Sequence, residues 1–157
     1  MGVFETFFGL PLHPLVIHAA VVFIPLLILG ALAYVLVPRI RHRIGWAVVI
    51  LAVVAPLSAF AAKLTGDAFR ARIARRHLAS PQILANIDVH RHFGTITLYV
   101  TIALGLVALA AVLVSMLWQR VAYSVPLIVV TIGLALASGY YVFRTGDTAA
   151  RIVWTGY

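Results

Sequence analysis

The sequence predicts an all-α fold: an integral membrane, up-down four-helix bundle, built from two tandem helical hairpins with a short interfacial helix between helices 2 and 3. Three observations predict it. The 157 residues are 64% hydrophobic and only 10% charged, whereas soluble chains run at about 45–50% and about 25%. Four stretches, 14–37, 44–62, 93–118 and 121–143, carry no charge, and each is close to the roughly 20 apolar residues that cross a bilayer as a helix. The first and second stretches are joined by a short link, as are the third and fourth, and short links make antiparallel neighbours. A soluble domain of this size could not hide so much apolar surface. A barrel would alternate apolar and polar positions, and these runs do not. In lipid the backbone must bond to itself, so the runs read as helices of one transmembrane domain over 1–157.

The elements follow in order. Helix 1 begins at Pro14 and carries Pro25. It is too long for a signal-peptide core and has no basic region before it, so it is expected to be retained. Pro38-Arg39-Ile40-Arg41-His42-Arg43 links it to helix 2, where Pro56 is expected to kink the helix as Pro25 does. Helix 2 ends near Ala62, ahead of Thr65-Gly66-Asp67, with the glycine read as a C-cap. Asp67 then caps a basic interfacial helix over about 68–78, with Phe69 and Ile73 one turn apart and Arg70, Arg72, Arg75 and Arg76 on a polar side. Ser80-Pro81 ends that helix. Helix 3 spans 93–118, Gln119 and Arg120 turn the chain, and helix 4 closes on Ser138 and Thr145-Gly146-Asp147. Ser58, Thr65, Gly66 and Asp67 recur as Ser138, Thr145, Gly146 and Asp147 at a constant offset of 80 residues, a weak internal repeat. Trp46 and Trp118 at one interface, and Tyr140, Tyr141 and Trp154 at the other, read as aromatic belts.

Up-down connectivity puts the starts of helices 1 and 3 and the ends of helices 2 and 4 on one side of the membrane. His13, His18, His90, His92, Asp67 and Asp147 therefore share a face, with His77 nearby and His42 opposite. Counted from the expected helix starts, His18 and His92 lie at matching depth, roughly 6–8 Å inside. His90 and His92 are about 200° apart on a helix, so only one of them can face the bundle axis. Imidazole ligates haem iron, copper, zinc, nickel and non-haem iron. Two histidines on separate helices suit a bis-imidazole haem b, with His18, His90, His13 and His92 as candidates. His13, His18 and His90 with Asp67 and Asp147 suit a small metal ion instead. The competing reading is structural: the histidines and Thr-Gly-Asp motifs only cap helix ends. A histidine within a span is a functional candidate by position. With no cysteine in the chain, disulfides, iron–sulfur clusters and c-type haem attachment are excluded. No Ser-His-Asp set, phosphate loop or HExxH pattern is present, so the chain is expected not to be an enzyme.

Leu12-His13-Pro14-Leu15-Val16-Ile17-His18, Gly66-Asp67 and His90-Arg91-His92-Phe93-Gly94 together resemble the bacterial membrane proteins catalogued as domain of unknown function 2231. The Phe8-Gly9-Leu10-Pro11-Leu12-His13-Pro14 start and Val153-Trp154 resemble its actinobacterial members. The resemblance spans most of the chain. It implies four transmembrane helices and no established activity. Some relatives are joined to cytochrome c or Rieske-like domains, which implies a redox setting. Relatives often carry Gly-His at Gly146-Asp147 and Gly-Glu at Gly66-Asp67, so a ligand there would be lost or replaced by a carboxylate. His90, four residues before Gly94, fits the family position, and His92 does not. The resemblance thus favours His90 over His92, against the depth count.

The net charge is +8. Nucleic acid is not an expected partner, because basic residues in a membrane chain reflect topology and anionic lipid. Eight of the twelve basic residues lie on the histidine side, which by charge alone makes that side cytoplasmic. In relatives the short first loop is basic and the long one acidic, which implies the reverse. The adopted expectation is a bacterial inner-membrane protein with termini and histidine face extracytoplasmic. Expected partners are the lipid bilayer and, beyond it, other membrane subunits or redox proteins. A homo-oligomer is compatible with the small residues Gly105, Ala108, Ala110 and Ala111. Two functions stay open: a haem b or metal site in a redox role, or a non-catalytic accessory subunit of a larger membrane complex.

Overall fold

The computed structural model describes residues 6–7, 10–117 and 124–154, and the four helices are there: α1 Leu12–Leu36, α2 Arg41–Arg75, α3 Pro81–Leu117 and α4 Ser124–Trp154. A 3-10 turn over Pro38–Ile40 leads into α2. Thr6–Phe7 and Leu10–Pro11 form a two-residue antiparallel ladder ahead of α1. Trp118, the Gln119–Arg120 link and the start expected at Val121 lie outside the described residues. All four helices are long and apolar enough to cross a bilayer. α1 packs on α2 and α4, α3 packs on the same two, and α1 faces α3 across the diagonal.

The expected interfacial helix at 68–78 is not a separate element. Instead α2 runs unbroken through Thr65-Gly66-Asp67 to Arg75, and α3 begins twelve residues before Phe93. At about 1.5 Å per residue α2 is about 52 Å long and α3 about 55 Å, against a hydrocarbon core of about 30 Å. The charge-bearing segments are therefore a helical hairpin that continues past the apolar runs. Gly66 sits in a helix interior, where glycine costs only about 1 kcal/mol relative to alanine. Asp67 bonds side chains across the hairpin and caps nothing. Thr145-Gly146-Asp147 is likewise inside α4.

The turn between α2 and α3 has identifiable chemistry. Leu78 N–H donates to the Ile73 carbonyl at 3.1 Å and His77 N–H to the Ala74 carbonyl at 3.2 Å. That is the paired bonding of a Schellman cap. Its left-handed position is held by His77, with φ 52°, where glycine is usual. Ser80 then caps α3, its Oγ accepting from Ile83 N–H at 3.3 Å, with Pro81 as first helical residue. Ser80-Pro81 is thus the start of helix 3.

The helices meet through small residues. A Cβ on Gly105 would stand 2.6 Å from the Ala52 carbonyl oxygen and 3.3 Å from Pro56 Cγ. Pro56 has no N–H, so the Ala52 carbonyl lacks its usual partner four residues on. The glycine hydrogen pointing along that direction meets the exposed acceptor, a weak Cα–H···O contact. Gly105, Ala108 and Ala111 are buried here, and only Ala110 of that set faces outward. The small-residue seam is an intramolecular one. Leu27 and Leu104 are fully buried at mid-bundle. At the far end Tyr34 hydrogen-bonds Ser115 across the diagonal, and Arg41 covers the last carbonyls of α1, donating to Tyr34 O at 2.8 Å and Val35 O at 3.0 Å.

Three stability outcomes follow. Gly105→Ala is expected to destabilise by about 1–3 kcal/mol through overpacking. Gly133→Ala, where a Cβ meets nothing within 4 Å, is expected to be stabilising by up to about 1 kcal/mol. Thermal unfolding in detergent checks the opposite signs. His77→Gly is expected to raise Tm in the same assay, because a side chain in the left-handed region costs about 1–2 kcal/mol.

Candidate functional site

Of the six histidines, the structure brings two together. His13, on the first turn of α1, and His90, on α3, meet across the diagonal with ring centroids 6.4 Å apart and planes at 72°. Both are half-buried. His18 is exposed on the outer face of α1, its Nδ1–H donating to the Pro14 carbonyl of its own helix at 2.7 Å. His92 is exposed on α3 against Phe93. The matched depth of His18 and His92 therefore brings no meeting: each points away from the axis. The 200° argument holds in its geometric part, since His90 faces inward and His92 outward. His77 serves the turn, and His42 is exposed at the start of α2.

Each paired histidine is held by the second helix of its own hairpin. His13 Nδ1 lies 3.2 Å from Thr65 Oγ1 on α2. The Thr65 hydroxyl donates to the Ala61 and Ala62 carbonyls at 2.9 and 3.1 Å, so toward the imidazole it accepts. His90 Nδ1 lies 3.0 Å from the Thr145 carbonyl and 3.2 Å from Thr148 Oγ1 on α4. A carbonyl only accepts. In His90 Nδ1 therefore carries the proton, and in His13 it does so when the Thr65 hydroxyl donates to its own helix; in the neutral ring Nε2 then keeps its lone pair. The His13 ring lies flat against α2 over Gly66, where a Cβ would stand 3.1 Å from Cε1. Phe69, one turn further along α2, stacks against the ring with centroids 6.3 Å apart. Gly66, read from sequence as a helix end, is in fact the floor under a histidine.

The two aspartates are engaged elsewhere. Asp67 takes Lys63 Nζ at 2.7 Å and Arg91 at 2.8 Å. Arg91 also reaches Asp88 at 2.9 Å, and Asp88 receives both Nε and Nη2 of Arg70, at 3.0 and 2.7 Å. This ladder ties the end of α2 to the start of α3. Asp147 bonds Arg151 Nε at 3.1 Å, with Arg144 at 3.9 Å. Arg144 lies over the Phe93 ring at 5.0 Å. Among the described residues no three His, Asp or Glu side chains converge as a ligand set. The sequence marks Thr65 and Thr145 only as parts of the recurring Thr-Gly-Asp motif, with no role at the histidines, and does not mark Thr148. The signal was available in the 80-residue offset, which aligns Thr65 with Thr145.

Comparison with known proteins adds one positive finding. The family described as "Predicted membrane protein (DUF2231)" matches residues 9–156. No curated protein and no solved structure matches. With four candidate spans and a family match over nearly its whole length, this multi-pass membrane protein belongs to the DUF2231 family of predicted membrane proteins.

Proposed function

We propose that His13 and His90 hold one redox-active metal centre at the end of the bundle, with haem b iron as the occupant that fits best. One observation carries the reading: both imidazoles are hydrogen-bonded through Nδ1 to acceptors, which orients each ring and leaves Nε2 as donor atom to a metal. Ligating histidines are oriented in this way by a carbonyl or other acceptor on the second nitrogen. The spacing supports it as well. His13 and His90, with ring centroids 6.4 Å apart, are near enough that both would offer Nε2 to one group bound at the bundle end. A group that brings its own equatorial ligands needs only two from the protein. That suits this pair better than a zinc-type cage, which needs three or four side chains. Asp67 and Asp147, paired with cations, are not part of the proposed ligand set, and neither are the outward His18 and His92. The resemblance to proteins joined to cytochrome c or Rieske-like domains favours electron transfer as the role. The proposed setting is the bacterial inner membrane, with the histidine face and both termini extracytoplasmic.

The test is an absorption spectrum and metal analysis of the protein purified in detergent from haem-replete cells. The expected outcome is a Soret band that is lost in His13→Ala and in His90→Ala and kept in His18→Ala and His92→Ala. A stoichiometric metal without a Soret band, lost in the same two variants, would assign the pair to a small metal ion. A colourless, metal-free protein that is stable only with co-purifying subunits would favour the accessory role instead. For orientation, a Tyr157→Cys variant in intact cells is expected to react with an impermeant thiol reagent. Labelling only after lysis would place the histidine face in the cytoplasm.

A further inference from the structure

α2 and α3 carry their hairpin well past the lipid. Counted from the ends of the uncharged runs at Ala62 and Phe93, Lys63 and Arg91 lie within two residues, at the level of the headgroups. Arg72, Arg75 and Arg76 lie ten to fourteen residues beyond Ala62, about 15–21 Å along the axis of α2. The headgroup layer is only about 5–8 Å deep on each side, the difference between a core of about 30 Å and a whole bilayer of about 40–45 Å. The closing turns of the hairpin therefore stand in water, above the phosphates.

The arginines there form one surface. Positions 72, 75 and 76 are spaced i, i+3 and i+4, so they share a face of the last turn of α2. Arg75 and Arg76 are exposed and Arg72 is half-buried. Between Asp67 and Asp88 the sequence has four arginines and no carboxylate. Arg70 is drawn into the hairpin by Asp88, and Asp67 is taken by Lys63 and Arg91. A helix C-terminus favours a cation, but like charges one turn apart repel one another, and a negatively charged partner offsets that repulsion. Leu78, in the turn directly after, is 65% exposed. Arginine around an apolar contact is the composition of a protein–protein interface. The surface is also preformed, because the cap at His77 and Leu78 and the Ser80 cap fix the turn, and a preformed surface loses less freedom on binding.

We propose that the aqueous end of the α2–α3 hairpin, with Arg72, Arg75, Arg76 and Leu78, docks an acidic surface of a water-soluble protein domain. The charges steer the partner in and set its orientation, and Leu78 supplies the short-range apolar contact. Height separates this partner from anionic lipid, whose phosphates meet Lys63 and Arg91 instead. Arg75 is ten residues beyond Thr65, which bonds His13, so a docked domain sits about 15 Å along the axis from the paired rings. This inference does not depend on a metal at the histidines.

The test uses the full chain in phosphatidylcholine nanodiscs and two fluorescein-labelled peptides of equal negative charge, an oligoglutamate and an amphipathic helix of glutamate and leucine. Binding is read by fluorescence anisotropy. Both peptides are expected to bind at about 50 mM salt and to weaken at least about fivefold at about 200 mM, because exposed charges are screened. The double variant Arg75→Gln, Arg76→Gln is expected to weaken both peptides at least about fivefold. The double variant Arg39→Gln, Arg43→Gln, at the opposite end of the bundle, is expected to change neither. Leu78→Ser is expected to weaken the glutamate–leucine helix alone, by at least about threefold. Depth is an independent reading. The chain has no cysteine, so a spin label on Gln82→Cys, exposed in the first turn of α3, is unique. Its collisions with a water-soluble nickel complex are expected to exceed those with oxygen, equally in phosphatidylcholine and in phosphatidylglycerol membranes. Absence of peptide binding, equal losses in the two arginine variants, or indifference of both peptides to Leu78→Ser would each overturn the proposal. So would a label that moves into the oxygen-rich layer when phosphatidylglycerol is present, which would assign the arginines to anionic lipid.

Discussion

The architecture hangs on one close approach, the meeting of Gly105 with the carbonyl of Ala52. Pro56 frees that carbonyl from its helix, and glycine is the only residue whose backbone can come up to it. The contact is weak in itself. Its effect is positional. With α2 and α3 this close at mid-membrane, both can continue side by side for about a dozen residues beyond the apolar stretch. The ladder of Asp67, Arg91, Asp88 and Arg70 then has two helices to join. Exposed ion pairs of this kind contribute about 0–1 kcal/mol each, so the ladder sets register more than it supplies stability. Register is what the histidine end needs. It brings Gly66 beneath His13 and turns His90 toward α4.

The sequence revealed the four spans, because hydrocarbon forbids charge and the uncharged runs are plain to read. It was a poor guide to where helices end. Charge marks the edge of the apolar layer, and a helix does not stop there when side chains such as Lys63, Asp67 and Arg70 can pair with one another and with the next helix. The glycines at 66 and 146 look like caps for the same reason, although one underlies a ring and both sit in helix interiors. The true cap was hidden, because a histidine at position 77 takes the place where glycine is the usual signal. At the site, the alternation between His90 and His92 was legible from helical geometry alone. The choice between His13 and His18 was not. Depth was counted from a start at Pro14, and rotation about the helix axis depends on which neighbours α1 meets.

The chemistry at the paired rings is set by neutral partners. A hydroxyl and a carbonyl meet the two Nδ1 atoms, while Asp67 and Asp147, two residues after Thr65 and Thr145, are bound to lysine and arginine. Eight basic residues stand on this side, and the aspartates serve to hold part of that charge in place. The imidazoles are thus oriented without a negative charge directly on them. A cationic centre bound there would meet oriented dipoles, and the arginines around it would favour its anionic substituents or anionic lipid nearby.

The 80-residue offset acquires a further meaning from the position of the pair. Ser58, Thr65, Gly66 and Asp67 map onto Ser138, Thr145, Gly146 and Asp147, and each half supplies one histidine from its first helix to the threonine motif of its second. The correspondence slips at the rings, since His90 falls three residues before position 93, close to one turn. Repeats with the same membrane orientation are related by an axis along the bilayer normal, and the two imidazoles meet near where that axis emerges. Neither hairpin alone has the pair. A single half-length hairpin would assemble it only by dimerising, so joining two such units in one polypeptide makes the site independent of protein concentration and lets its two sides diverge.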